Sequence, residues 1–237
     1  MTSKRDWEVR PDPAGADERL FFDTDQWRLM DAITARIIPT DHDPGAREAN
    51  VVRFIDRYLS GIGYIYAAAD GSGFLRVDGR EAAAWQQRVE ACQVRYREGL
   101  RTVESLSRER FSAAFIELTG EQQDEVIAAL SGFPKPTAVD IRPLVEGEVV
   151  PGSGGAPPSN QPIPDDELDF FPMLVLHVRQ GFYSDPVYGG NAGHIGWQVV
   201  GFPGPTSLAL TQRGEFSTLD YMLPDAVWPY STADATP

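Results

Sequence analysis

The stretch from His177 to Gly204, HVRQGFYSDPVYGGNAGHIGWQVVGFPG, constrains the fold more than any other part of the chain. Seven glycines stand among five large rings, Phe182, Tyr183, Tyr188, Trp197 and Phe202, and there is no Lys or Glu. Glycine opens backbone conformations that other residues resist, and proline, here Pro186 and Pro203, fixes others. A strand would not tolerate this mixture. A disordered linker would lack the rings. The stretch therefore reads as a rigid irregular loop. Its rings must pack on the chain's own core, on a ligand or on another protein.

The rest of the chain is long enough to bury one good core. It has 237 residues, 42% of them hydrophobic and 24% charged, as in soluble globular proteins. A net charge of −14 argues against nucleic acid and anionic membrane surfaces as partners. A single cysteine, Cys92, excludes an internal disulfide and a cysteine-based metal cluster. No apolar run reaches the length of a membrane span. Residues 1–20 carry no apolar signal core, so the expectation is a cytoplasmic chain, one exported or held at a membrane through another chain, or one whose leader has been removed.

Residues 1–20 form a polar N-terminal arm, anchored at most by Trp7, and helical spacing dominates from there to Gly132. Asp23 and Gln26 form a capping box ahead of Trp27, Met30, Ile33 and Ile37, and Pro39 ends that helix. An acidic turn, Thr40 to Gly45, leads to a second helix expected from about Ala46 to Ser60, with Ala49, Val52, Ile55 and Leu59 inward and Gly61 as its stop. Gly61 to Gly79 reads as a loop. Trp85, Val89, Cys92, Tyr96 and Val103 then mark a long amphipathic helix from about Gly79 to Ser107. A short helix over Glu109 to Glu117 is expected next. Thr119 with Gln122 opens another that closes at Gly132.

Residues 133–164 hold too much Pro and Gly for a regular element and read as a long surface excursion, mobile around Gly152 to Asn160. The acids Asp165, Asp166 and Glu167 suit a helix N-terminus. Leu168, Phe171, Val175, Val178 and Phe182 make the stripe of a helix starting near Phe170, with Pro172 in its first turn and Gly181 at its end. Beyond Gly204 an aromatic tail, residues 205–237, is expected to lie on this domain or on a partner. The fold class is mostly α: one irregular helical domain over residues 21–237, with long Pro/Gly-rich loops and an aromatic-glycine C-terminal segment.

Few residues suggest chemistry. His42, between Asp41 and Asp43, could serve a metal or an acid–base site, but its setting is that of an ordinary acidic turn. His177 falls off the apolar stripe and is expected to face solvent or a partner. His194 is the histidine best placed for a base, with Asp185 the nearest candidate to orient it. Asp185 before Pro186 equally suits an acceptor for loop amides. Gly189-Gly190-Asn191 lacks the Lys and Ser/Thr of a phosphate loop, and no dinucleotide fingerprint is present. Cys92 on a helical stripe reads as buried and inert. No catalytic, cofactor-binding or metal-binding residue is assigned.

Two segments carry a resemblance. One is Ile33-Thr34-Ala35-Arg36-Ile37-Ile38-Pro39-Thr40-Asp41, followed by Pro44-Gly45-Ala46-Arg47-Glu48-Ala49 and Phe54-Ile55-Asp56. The other is Gly181-Phe182-Tyr183-Ser184-Asp185-Pro186-Val187-Tyr188-Gly189-Gly190-Asn191, then Gly196-Trp197 and Gly201-Phe202-Pro203-Gly204. Together they resemble the gluconate 2-dehydrogenase subunit 3 family, the small subunits of FAD-dependent sugar dehydrogenases. The resemblance implies a helical accessory subunit without a cofactor of its own. Its expected partner is a large flavoprotein of the glucose–methanol–choline type that carries FAD, sometimes joined by a cytochrome subunit. Family members often bear a twin-arginine leader, which this sequence does not show. On this reading the surface that meets the partner is built from Phe182, Tyr183, Asp185, Pro186, Tyr188, Gly189, Gly190, Asn191, Trp197, Phe202 and Pro203. Two other classes fit the composition: an autonomous carbohydrate-active enzyme using the aromatic loop, and a chaperone that leaves its flavoprotein client after folding.

Overall fold

A computed structural model describes residues 9–10, 18–68, 72–132, 164–202, 204, 210 and 213–215. Most of the arm before Glu18, the Pro/Gly-rich excursion up to residue 163, Pro203 and nearly all of the tail lie outside the described residues.

Helix α1, Thr24–Ile37, starts where its capping box stands. Asp23 Oδ1 accepts from the amides of Asp25 and Gln26 at 2.9 and 2.8 Å, and Gln26 Oε1 accepts from Asp23 N at 3.2 Å. Helix α2, Val51–Leu59, begins later than its apolar spacing suggests. Residues 46–50 form turns, and Asn50 takes the left-handed conformation at φ 53° immediately before the helix. Side chains of α2 are buried nearly all round, including Arg53, Asp56 and Arg57. Asp56 is accommodated inside by accepting three backbone amides: Leu20 at 2.7 Å, Phe21 at 3.0 Å and Phe22 at 2.8 Å.

The segment between Gly61 and Gly79, expected as a loop, contains two strands. These are β2, Tyr64–Ala67, and β3, Phe74–Arg76. A third, β1, Val9–Arg10, lies in the arm and pairs antiparallel with β3, giving the order β1-β3-β2. The β2–β3 register shifts between Tyr64 and Tyr66, which marks an irregularity at Ile65.

Helix α3, Gly79–Phe111, is longer than its apolar stripe. It absorbs the start of the short helix expected from Glu109, and only a single 3₁₀ turn succeeds it, at Phe115–Glu117. Helix α4, Gly120–Ser131, is capped by Thr119 and Gln122 and stops at Gly132, whose φ is 72°. Arg36 of α1 grips Asp124 of α4 with a bidentate fork, Nε and Nη2 each 2.7 Å from a carboxylate oxygen. Helix α5, Phe170–Tyr183, starts as its sequence suggests but runs two residues past Gly181. Three short turns of helix finish the described fold: 3₁₀ turns Pro186–Tyr188 and Ala192–His194, then α6, Ile195–Val199.

The helices share one apolar cluster. Met30 and Ile33 of α1, Ile55 and Leu59 of α2, Cys92, Tyr96 and Val103 of α3, Val126 of α4 and Leu174, Val178 and Phe182 of α5 meet in it. No described helix is long and apolar enough to cross a membrane.

Candidate functional site

The aromatic-glycine stretch folds back on α5 and α2 and becomes part of the chain's own packing. Its first two helical residues past Gly181, Phe182 and Tyr183, diverge: Phe182 is buried and Tyr183 is 42% exposed. Asp185 then accepts from Val187 N at 2.9 Å, closing the turn that Pro186 begins. Tyr188 comes next, its ring 6.1 Å from Phe74 of β3 and its hydroxyl accepting from Ala67 N of β2 at 3.4 Å.

Asn191 is the pivot of the reversal. It is fully buried and has φ 48°. Its Nδ2 donates to Ser184 O and its Oδ1 accepts from Gly196 N, both at 2.8 Å. One residue on, Ala192 N donates to Ala49 O at 3.0 Å and ties the turn to the approach of α2. The chain comes back so close that two positions admit no side chain. A Cβ on Gly190 would stand 2.1 Å from the Gly181 carbonyl oxygen, and one on Gly196 would stand 1.8 Å from that of Phe182. Trp197 locks the return, its Nε1 donating to Tyr183 O at 2.8 Å and its ring meeting Phe202 edge-on at 5.3 Å.

The residues expected to face a partner therefore divide. Phe182, Gly190, Asn191 and Trp197 are interior residues of this chain. Tyr183, Asp185, Pro186, Tyr188, Gly189 and Phe202 keep some exposure, and Pro203 lies outside the described residues. His194 lays its ring against Trp197, with centroids 4.9 Å apart.

A second cluster lies apart from every residue that the sequence singles out for chemistry except one. His177, expected at the surface, is wholly buried, and so is Asp165, read from sequence as a helix-terminus acid. His177 Nε2 lies 2.8 Å from Asp165 Oδ2, and Nδ1 lies 2.9 Å from the Tyr96 hydroxyl. Asp165 also accepts from the Tyr58 hydroxyl and from Arg88 Nε. With Asp165 ionised and Arg88 beside it, the consistent proton placement is Nε2–H donating to Asp165 and neutral Nδ1 accepting from Tyr96. Burial alone would push the Asp165 carboxyl up. The hydrogen bonds from His177, Tyr58 and Arg88 together outweigh it and hold the carboxyl well below the usual range. Burial, aided by the bond to Asp165, pushes the Tyr58 phenol up.

In outline this is the histidine–carboxylate arrangement of a general base. Its position forbids that use, because His177 has no exposed surface and both ring nitrogens are already engaged. The cluster instead joins α2, α3 and α5 to the turn at Asp165–Glu167. The sequence does hold a signal for it: His177 stands four residues from both Met173 and Gly181, the row that α5 buries.

The turn at His42 is exposed. Its two ring nitrogens each lie 3.1 Å from a carboxylate oxygen, of Asp41 and of Asp43. Asp41 Oδ1 also accepts from Asp43 N at 3.0 Å, the self-bonding of an acidic turn.

Residues 24–204 match the family described as gluconate 2-dehydrogenase subunit 3, a span that takes in every described helix and the docked aromatic-glycine stretch. The chain belongs to the gluconate 2-dehydrogenase subunit 3 family. Comparison with curated proteins and with solved structures returns no match. In this gluconate 2-dehydrogenase subunit 3 chain both segments that carry the resemblance meet physically, since a Cβ on Gly181 would stand 3.1 Å from Phe54 Cβ.

Proposed function

We propose that this chain is the non-catalytic small subunit of an FAD-dependent sugar or sugar-acid dehydrogenase, and that it binds and stabilises the large flavoprotein subunit. Family membership over residues 24–204 is the observation that carries this reading. The sealing of Asp165 and His177 supports it, since this histidine–carboxylate pair has no access to a substrate. In this assignment the FAD and the redox chemistry belong to the partner, of the glucose–methanol–choline type, with a cytochrome subunit as a further member. The chain itself holds no cofactor. Its compartment, cytoplasmic or periplasmic, is that of its partner.

Co-expression tests the assignment. A tagged copy of this chain should retain the flavoprotein through purification, with flavin absorbance near one equivalent and sugar oxidation dependent on an added electron acceptor. The same chain expressed alone should be colourless and inactive. Sugar oxidation or hydrolysis by the isolated chain, or a flavin bound to it, would overturn the proposal. Loss of the flavoprotein after folding would favour the dissociable chaperone instead.

A further inference from the structure

Asp165 and His177 are closed to a substrate, but an electron needs no opening. It can pass between aromatic rings that lie close together. Such rings lead from the surface to the buried cluster. Trp85 on α3 is half-buried and meets Tyr58 edge-on, with centroids 5.1 Å apart. The Tyr58 ring lies 4.7 Å from that of His177. His177 is in turn stacked on Tyr96, 5.8 Å away and 3° from parallel. Indole and phenol are among the side chains that most readily give up a single electron.

The two phenols of the cluster differ in where their protons can go. Tyr58 donates to Asp165. That carboxylate is already held well below the ordinary range by its donors, so it is a poor home for a further proton. Tyr96 donates instead to Nδ1 of His177 at 2.9 Å, a neutral imidazole nitrogen whose lone pair faces that proton. On taking it, the ring becomes an imidazolium with Nε2–H still on the ionised Asp165, 2.8 Å away, so the new buried charge is paired. Burial pushes the Tyr96 phenol up, so it does not ionise unaided. Loss of the electron alone would leave an unpaired cation in an apolar site. Electron and proton must therefore leave the Tyr96 oxygen together. Phe170, edge-on at 5.5 Å, and Phe22, at 6.2 Å, flank its ring and keep water and reductants away.

We propose that Tyr96 is a redox-active tyrosine, oxidised reversibly to a neutral phenoxyl radical, with Trp85 as its port at the surface. The oxidant is a one-electron acceptor of the peroxide-derived radical class. It takes one electron from the Trp85 indole and is reduced. Tyr96 refills the indole through the rings of His177 and Tyr58, its O–H bond breaks, and the proton bonds to His177 Nδ1. The cluster then holds one phenoxyl radical and one imidazolium, with Asp165 still ionised. A donor of the ascorbate or thiol class returns the electron, and the proton moves back to the Tyr96 oxygen. The subunit thereby acts as a sink for oxidising radicals, an activity of this chain whatever partner it binds.

The test uses the full chain expressed alone, with photo-oxidised ruthenium tris-bipyridine as the oxidant. Freeze-trapped wild type should give a phenoxyl EPR signal that narrows when the tyrosines are ring-deuterated and that outlasts the radical of free tyrosine at least ten-fold. Isotope-labelled histidine should reveal a nitrogen coupled to that signal, which assigns it to Tyr96 in the unmutated fold. Tyr96→Phe should abolish the signal, and Trp85→Phe should lower its yield several-fold while melting like the wild type. If Tyr96→Phe does not fold, the histidine coupling in the wild type decides. No phenoxyl signal, a signal without a coupled histidine nitrogen, or one that persists in folded Tyr96→Phe would overturn the redox role. An equal yield in Trp85→Phe would overturn the port.

Discussion

Asp165 and His177 stand twelve residues apart in sequence and 2.8 Å apart in space, with both side chains shut away from solvent. Removing one partner strands the others. Asp165→Ala would leave His177 and Tyr58 facing a hole without their acceptor, and each buried polar group left unsatisfied costs about 1–3 kcal/mol. Urea unfolding of the isolated subunit should show that loss, and a change under about 1 kcal/mol would mean the cluster is not a stabilising joint.

The same carboxylate gives the subunit an acid limb. Its folded pKa lies below the ordinary carboxylate value of about 3.9, so its contribution is complete above that pH and fades as pH falls toward the folded value. Wild type should therefore exceed Asp165→Asn in stability at neutral pH, and the gap should narrow below about pH 4. Urea midpoints measured from pH 7 down to pH 3 would reveal this. A gap that stays constant would assign the effect to shape, not charge.

Cys92 is wholly buried on α3, and burial pushes its thiol up to about 12. The thiolate is the reactive form, so the native subunit should resist a thiol reagent such as DTNB at pH 8 and react fully in guanidinium. Rapid labelling without denaturant would show that α3 opens readily.

Gly190 and Gly193 lie three residues apart and should respond differently to alanine. Gly190→Ala drives a methyl group into the Gly181 carbonyl. Backbone cannot move aside cheaply, and overpacking of this kind costs about 1–3 kcal/mol or more. Gly193 has open space around it and only a φ of 62° to resist substitution, so its alanine variant should lose about 1 kcal/mol. Paired melting curves would separate the two causes, and equal losses would contradict the close approach.

Asn191 is expected to matter as a donor and as an acceptor. Asn191→Asp keeps the oxygen that takes Gly196 N but leaves Ser184 O without its amide, and a buried unsatisfied group costs about 1–3 kcal/mol. Asn191→Ala loses both bonds and should cost more. Thermal unfolding of the two variants should rank wild type first, Asp second and Ala third.

Local chemistry makes much of this fold readable. Both capping boxes, Asp23 with Gln26 and Thr119 with Gln122, open the helices their spacing announces, because a cap is decided within four residues. The β2–β3 pair is not readable in the same way. Its strands are four and three residues long, they depend on each other, and β3 depends also on Val9–Arg10, more than 60 residues away. His177 defeats the periodicity argument because the stripe Phe171, Val175, Val178, Phe182 describes one edge of α5, whereas the helix buries the rows Met173-His177-Gly181 and Leu174-Val178-Phe182. Its carboxylate partner sits on a separate turn, which periodicity cannot see. The aromatic-glycine stretch is recognisable as rigid, but its composition does not say which rings turn inward, since Phe182 and Tyr183 are adjacent and go opposite ways.

The docking of Tyr188 on β2 has a consequence for the subunit before it meets a partner. β2 is one of the two outer strands of its sheet, and an unoccupied outer strand is a template on which copies of a protein can add strand to strand. Here the Ala67 amide is taken by the Tyr188 hydroxyl, and Arg57 Nη2 reaches the Tyr64 carbonyl at 3.5 Å. The irregularity at Ile65 further spoils the edge for pairing. The folded-back stretch thus works as a guard rail along the β2 edge against strand-to-strand pairing.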